Sequence, residues 1–247
     1  MWVRAVVAVV VTLGVSVLSG CERGEELALA EECAQGRYVV AVDGSSSQRS
    51  PEHTAQMVSA VASSAGRAAV CERPWSGRVV AGGVVVNLDP PAALGSVTGA
   101  TTQGRTESVQ ARAAQVLDQV EAEVVDAVSS VPEGVSSLPA VLSAAGEVAE
   151  SGSEVIVLSD AVDQGAGVEL NRDLAPGDGA AAAQTVQVAE LSGSSVTIAG
   201  VGQMDRDGSA PGTVWGEEIQ AYASGVCERT GAACRVLTGF DQTDLTT

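Results

Sequence analysis

The chain has 247 residues and a formal net charge of −18, with 31 acidic side chains against 13 basic ones, every one of the latter an arginine. That balance excludes phosphate-neutralising contact with nucleic acid and direct adhesion to anionic headgroups, because nothing in the sequence resembles a basic patch. With 3 Trp, 2 Tyr and 1 Phe, the core has to be built from Val, Ala and Leu, and the length suits one α/β domain.

Residues 1–20 read as a secretory signal: Arg4 is the only charge, the apolar core runs from Ala5 to Leu18, and small residues lead to Cys21. That core is shorter than the roughly 20 apolar residues a transmembrane helix requires. The run Val17-Leu18-Ser19-Gly20-Cys21 resembles the lipobox of bacterial lipoproteins. The resemblance implies a lipidated Cys21 as mature N-terminus and an exported protein on the outer face of a bacterial cytoplasmic membrane. It would be held there through its lipid anchor alone. Residues 21–35 then form an acidic tether, and 36–247 the folded domain.

Cys33, Cys71, Cys227 and Cys234 are an even number in a chain read as exported, so two disulfides are expected. Three pairings are open. Cys227 and Cys234 stand either side of Thr230-Gly231, where a helix can end and turn back, which favours that pair and leaves Cys33 with Cys71. Zinc is disfavoured, since there is no C-x-x-C and His53 is the sole imidazole.

Arg37 to Asp43 is a continuous apolar strand of the kind buried on both faces of a parallel sheet. Ser50-Pro51-Glu52 opens a helix that runs to about Ala69, with serine as N-cap and proline at the first position. Val79 to Val86 reads as one strand bent at Gly82-Gly83, and Asp89 to Gly104 as a loop. A long amphipathic helix follows from Thr106 to about Val128, with Val109, Ala113, Val116, Val120 and Val124 on one face.

Beyond a Pro-Glu-Gly turn come a helix over Leu138–Glu150, a strand over Val155–Ser159 and a polar loop from Ala161 to Ala180. Helix Ala181–Leu191, strand Ser195–Val201, helix Thr213–Arg229 and strand Cys234–Leu237 complete the series. This alternation predicts a single doubly wound, mostly parallel sheet flanked by helices, a Rossmann-like α/β fold.

Two strands run straight into aspartates, Asp43 and Asp160, and the first opens Asp43-Gly44-Ser45-Ser46-Ser47. Carboxylates and hydroxyls gathered where parallel strands end are what a hard divalent cation requires. The run resembles the D-x-S-x-S motif of von Willebrand factor A domains, placed as that family has it after a buried first strand. Val155 to Asp160 is similar to the family's later strand ending in Ser-Asp, and Gly134-Val135-Ser136-Ser137-Leu138 to its Gly-x-Thr-x-Leu turn. The similarity spans roughly residues 36 to 240, with its specificity in three short stretches.

The resemblance implies a metal-ion-dependent adhesion site for Mg2+ or Mn2+. Ser45 and Ser47 would coordinate directly, Asp43 and Asp160 directly or through water, and Ser136 would stand in the threonine position. Thr101 or Thr102 is a second source for that hydroxyl. The glycine usual after the second aspartate is Ala161 here. A protein partner presenting a carboxylate would replace one water on the ion, the two charges of which attract an acid to an acidic protein. The competing reading makes Asp43 and its serines a cap on the first helix.

An enzyme is disfavoured. There is no G-x-S-x-G elbow, His53 is the sole imidazole base, and the chain has few aromatic platforms for sugars. Gly200-Val201-Gly202 follows a strand, but no helix starts where a nucleotide site needs one. Trp215 beside Glu217 and Glu218 is a core residue or a partner contact. Two further readings are a metal-independent scaffold of an envelope complex and a solute-binding lipoprotein, for which the chain is short.

Overall fold

The computed structural model describes residues 33–45, 51–71, 73–88, 120, 122–131, 137–163, 168, 170, 174–203 and 213–239. The described residues from Ala34 onward belong to one compact unit. Residues 1–32, where the signal, Cys21 and most of the tether are expected, lie outside the described residues, as do residues 89–104, where a loop is expected.

Six strands form one sheet in the order β3-β2-β1-β4-β5-β6. They are β1 (Tyr38–Asp43), β2 (Trp75–Ala81), β3 (Val84–Leu88), β4 (Glu154–Leu158), β5 (Ser195–Ala199) and β6 (Ala233–Leu237). All neighbours pair in parallel except β2 with β3. The helices are α1 (Pro51–Val70), α2 (helical residues 122–130), α3 (Leu138–Gly146), α4 (Asp178–Ala183) and α5 (Thr213–Glu228). The fold class read from the alternation is therefore the one observed.

The strands alternate their side chains between two cores. Tyr38, Val40 and Val42 of β1 pack with Met57, Val61 and Ala65 of α1 and with Val124 and Val128 of α2. Val39 and Ala41 face the other way, onto Val141 and Leu142 of α3 and Ile219 and Tyr222 of α5. All six residues of β1 are buried, the expected result for a central strand with helices on both sides. At about 25 cal/mol per Å2 of apolar area, such two-sided burial is what allows a Val- and Ala-rich sheet to hold with few aromatics.

One expectation needs correction. Val79–Val86 is not a single bent strand: β2 ends at Ala81 and β3 returns antiparallel, with Ala81 opposite Val84. Gly82 and Gly83 have φ of 56° and 76°, the left-handed pair of a two-residue hairpin turn, which a side chain would strain. Helix ends also move. The helix expected over Leu138–Glu150 stops at Gly146, and the one expected over Ala181–Leu191 is the six-residue α4.

Cys227 and Cys234 are disulfide-bonded, closing α5 onto β6 across a sequence separation of 7. Cys33 and Cys71 are each disulfide-bonded as well. Replacing Cys227 and Cys234 by serine is expected to cost about 2 kcal/mol through the chain entropy of so short a loop. Guanidinium unfolding of both forms measures it.

At the edge where the parallel strands begin, Arg67 of α1 donates to Glu154 of β4 at 2.8 Å and lies 5.6 Å from the Tyr38 ring centroid. Burial pushes the Glu154 carboxyl above the ordinary range, and the Arg67 charge draws it part of the way back. A folded pKa above the unfolded one makes the contribution of Glu154 most favourable at low pH, and that contribution is lost as pH rises through the folded value. Arg67→Met removes the offset. It is expected to destabilise by about 1 kcal/mol more at pH 7 than at pH 4, both side chains being partly exposed. Urea unfolding at the two pH values reads the difference, and equal losses would mean the pair contributes nothing. Among the described residues, no helix is long and apolar enough to cross a membrane.

Candidate metal centre

The strand order reverses direction at β1: one neighbour is β2, the next strand in the chain, and the other is β4. In open α/β sheets the crevice beyond the carboxyl ends of the strands at such a point is where ligands bind. Asp43 is the last residue of β1, and Ser159 and Asp160 follow β4 directly. Because Val42 pairs with Leu158, one step further sets Asp43 against Ser159.

Hydrogen bonds follow that placement. The Ser159 hydroxyl donates to Asp43 Oδ2 at 2.8 Å, and the Ser45 amide donates to Asp43 Oδ1 at 2.9 Å. Gly44 N–H donates to the Val80 carbonyl at 2.8 Å, carrying the β1 ladder one residue beyond the strand. Asp160 Oδ1 accepts from Val162 N–H at 3.0 Å, and Ser159 Oγ accepts from Ala161 N–H at 3.1 Å. Asp43, Ser45, Ser159 and Asp160 are 3%, 8%, 0% and 1% exposed, so four oxygen-bearing residues are buried at the ends of these two neighbouring strands.

Three of the residues expected to hold the ion, Asp43, Ser45 and Asp160, thus lie along one edge at the ends of β1 and β4. Ser47 and Ser136 lie outside the described residues. Ser137, next to Ser136, is the N-cap of α3 and accepts from Ala140 N–H at 3.2 Å. The Ser45 amide turns back onto Asp43, so the start of this loop is organised by the aspartate.

Ser159 and Asp163 each make a buried side-chain hydrogen bond that the sequence reading did not anticipate. Ser159 stands beside Asp160 in the Ser-Asp pair, but its bond to Asp43 depends on strand register, which spacing does not reveal. Asp163, 1% exposed, accepts a 2.6 Å hydrogen bond from the Tyr222 hydroxyl of α5. Burial, with the Asp163 carboxylate beside it, pushes the Tyr222 phenol far above its ordinary range.

Ala161 occupies the position where a glycine was noted as usual, and its φ of 56° is left-handed. That costs an L-residue about 1 kcal/mol. The methyl is 1% exposed within the core, and its burial offsets most of the strain.

The donor set suits a hard cation: carboxylates and hydroxyls, with neutral N–H and O–H groups orienting them. Among the described residues no three His, Cys, Asp or Glu side chains form a metal cluster. A cation here would depend on hydroxyl and water oxygens beside two aspartates, the mixture Mg2+ accepts. A separate groove of about 360 Å3 runs between the start of α3 and residues 185–187, lined by Ser137, Ser143, Thr185 and Gln187 with no charged side chain.

Trp215 is 5% exposed and packs in the core, which removes it as a surface contact for a partner. No protein-family model matches the chain, and comparison with curated proteins gives no match either.

Proposed function

We propose that this protein is an envelope-tethered, von Willebrand A-like binding module that captures a protein partner through a divalent cation, Mg2+ or Mn2+. The observation that carries the reading is the burial of Asp43, Ser45 and Asp160 together beyond the ends of β1 and β4, where the strand order reverses. Isolated buried carboxylates are costly, and proteins keep them where they are paired or coordinate a metal.

In this reading Asp43 and Asp160 supply negative charge, Ser45 supplies a neutral oxygen, and Ser47 and Ser136 complete the protein ligands. Ser159 holds the Asp43 carboxylate through the bond described above. The bound ion supplies a positive point to which a partner's carboxylate is drawn. Cys21 carries the lipid, the tether sets the domain off the membrane, and the module performs no chemistry of its own.

The test is capture of a partner by crosslinking on the cell envelope with the full chain. The expected result is a crosslinked partner in Mg2+ that disappears in EDTA and with Asp43→Ala. Equal capture in EDTA by parent and variant would instead support a metal-independent scaffold.

A further inference from the structure

The stretch from Asp160 to Asp163 is held from several sides. Gly202 N–H, just past β5, donates to the Asp160 carbonyl at 2.9 Å. The Asp163 amide donates to the Ala161 carbonyl at 3.0 Å, and the Asp163 carbonyl accepts from Leu170 N–H at 3.1 Å. The Asp163 side chain is in turn fixed by Tyr222, which is 0% exposed in the middle of α5. Between the two aspartates lies Ala161 in its left-handed conformation, which persists only where the surroundings over-determine it.

Releasing the Asp163 side chain would loosen one of the restraints at the far end of that strained residue, its backbone bonds to Ala161 and Leu170 remaining. Asp160, at its near end, would then be held less firmly, since one of its carboxylate oxygens accepts from the Val162 amide inside the same stretch. We infer that Tyr222 is a positioning residue for the cation site: its hydrogen bond to Asp163 keeps Asp160 turned to the edge it shares with Asp43 and Ser45. The inference rests on the reading of that edge as a divalent-cation site. Burial and the Asp163 carboxylate both favour the protonated phenol, the form that donates this bond.

A partner this far from the ion acts at the weak end of outer-shell effects, where loss costs about tenfold in metal affinity. Tyr38 provides the control. It too is fully buried with its hydroxyl bonded, donating to Cys71 Sγ at 3.3 Å, but it begins β1 whereas Asp43 ends it. That separation is about 16 Å along the strand.

The experiment titrates the full chain with Mn2+, reading free ion by electron paramagnetic resonance, for the parent, Tyr222→Phe, Tyr38→Phe and Asp43→Ala. Amide exchange of Val162 and Asp163 is followed without metal in the same proteins. Tyr222→Phe is expected to bind about tenfold more weakly and to exchange faster at both amides, with Tyr38→Phe matching the parent on both counts. Parent-like affinity in Tyr222→Phe overturns the inference and leaves the cation reading standing, as does equal weakening in both tyrosine variants. No binding by the parent, so that Asp43→Ala cannot be told from it, overturns the cation reading and the inference with it.

Discussion

Replacing Asp43 by alanine is expected to weaken Mn2+ binding by more than about 100-fold while the domain stays folded. The loss exceeds the 10–100-fold typical of outer-shell changes, because Asp43 would contribute charge and not merely orientation. Its effect on stability is smaller, since two terms oppose each other. Ser45 N–H and Ser159 Oγ lose their acceptor, at a cost of about 1–3 kcal/mol. Against that, a carboxylate only 3% exposed is removed from the edge that also holds Asp160. Asp43→Asn separates the terms by keeping an acceptor oxygen while losing the charge. It should retain the parent's melting midpoint and still bind Mn2+ poorly. Free-ion titration and thermal melts on the same samples decide it: parent-like Mn2+ affinity in either variant would place the ion elsewhere.

Gly179→Ala is expected to produce the largest loss of stability, about 3 kcal/mol or more. A Cβ at residue 179 would stand 1.9 Å from the Glu218 carbonyl oxygen and 2.7 Å from its carbon, both backbone atoms. The two helices cannot separate cheaply, because they are joined at both ends of α4. The Glu218 carboxylate accepts from Gly177 N–H at 2.9 Å and Gly179 N–H at 2.8 Å. At the other end the Arg229 guanidinium donates to the carbonyls of Ala183 and Val186. Opening the contact for one methyl breaks the charge-assisted cap as well. For a domain of this size the melting midpoint should fall by roughly 6–12 °C. A shift of under about 2 °C in calorimetry would show that α4 and α5 do not approach this closely.

The elements most legible in the sequence are those with a strong local signal. β1 was readable because six consecutive residues are buried on two faces, which leaves no alternation to mistake. The start of α1 at Pro51 and the disulfide between Cys227 and Cys234 carry equally local marks. The hairpin was misread although its signal was present: Gly-Gly between two apolar runs is a two-residue turn as readily as a bend. Only the antiparallel pairing of β2 with β3 distinguishes the two. The end of α4 was set by packing, since Arg229 occupies the carbonyls of Ala183 and Val186, while in the sequence apolar residues recur among polar ones as far as Leu191.

The same division holds at the site. Asp43, Ser45 and Asp160 were singled out because each stands at or just beyond the end of an apolar strand. Ser159, Asp163 and Tyr222 depend on which strands neighbour one another and on how α5 lies against the sheet. Tyr222 is 59 residues from Asp163 in sequence and Ser159 is 116 from Asp43, so no window of local pattern contains either bond.

The most direct test is a Mn2+ soak of the crystallised protein followed by an anomalous difference map. The account predicts one strong peak at the edge shared by Asp43, Ser45 and Asp160, with oxygen ligands at about 2.1–2.2 Å. An empty edge under excess Mn2+, or a peak elsewhere with Asp43 and Asp160 untouched, would contradict it.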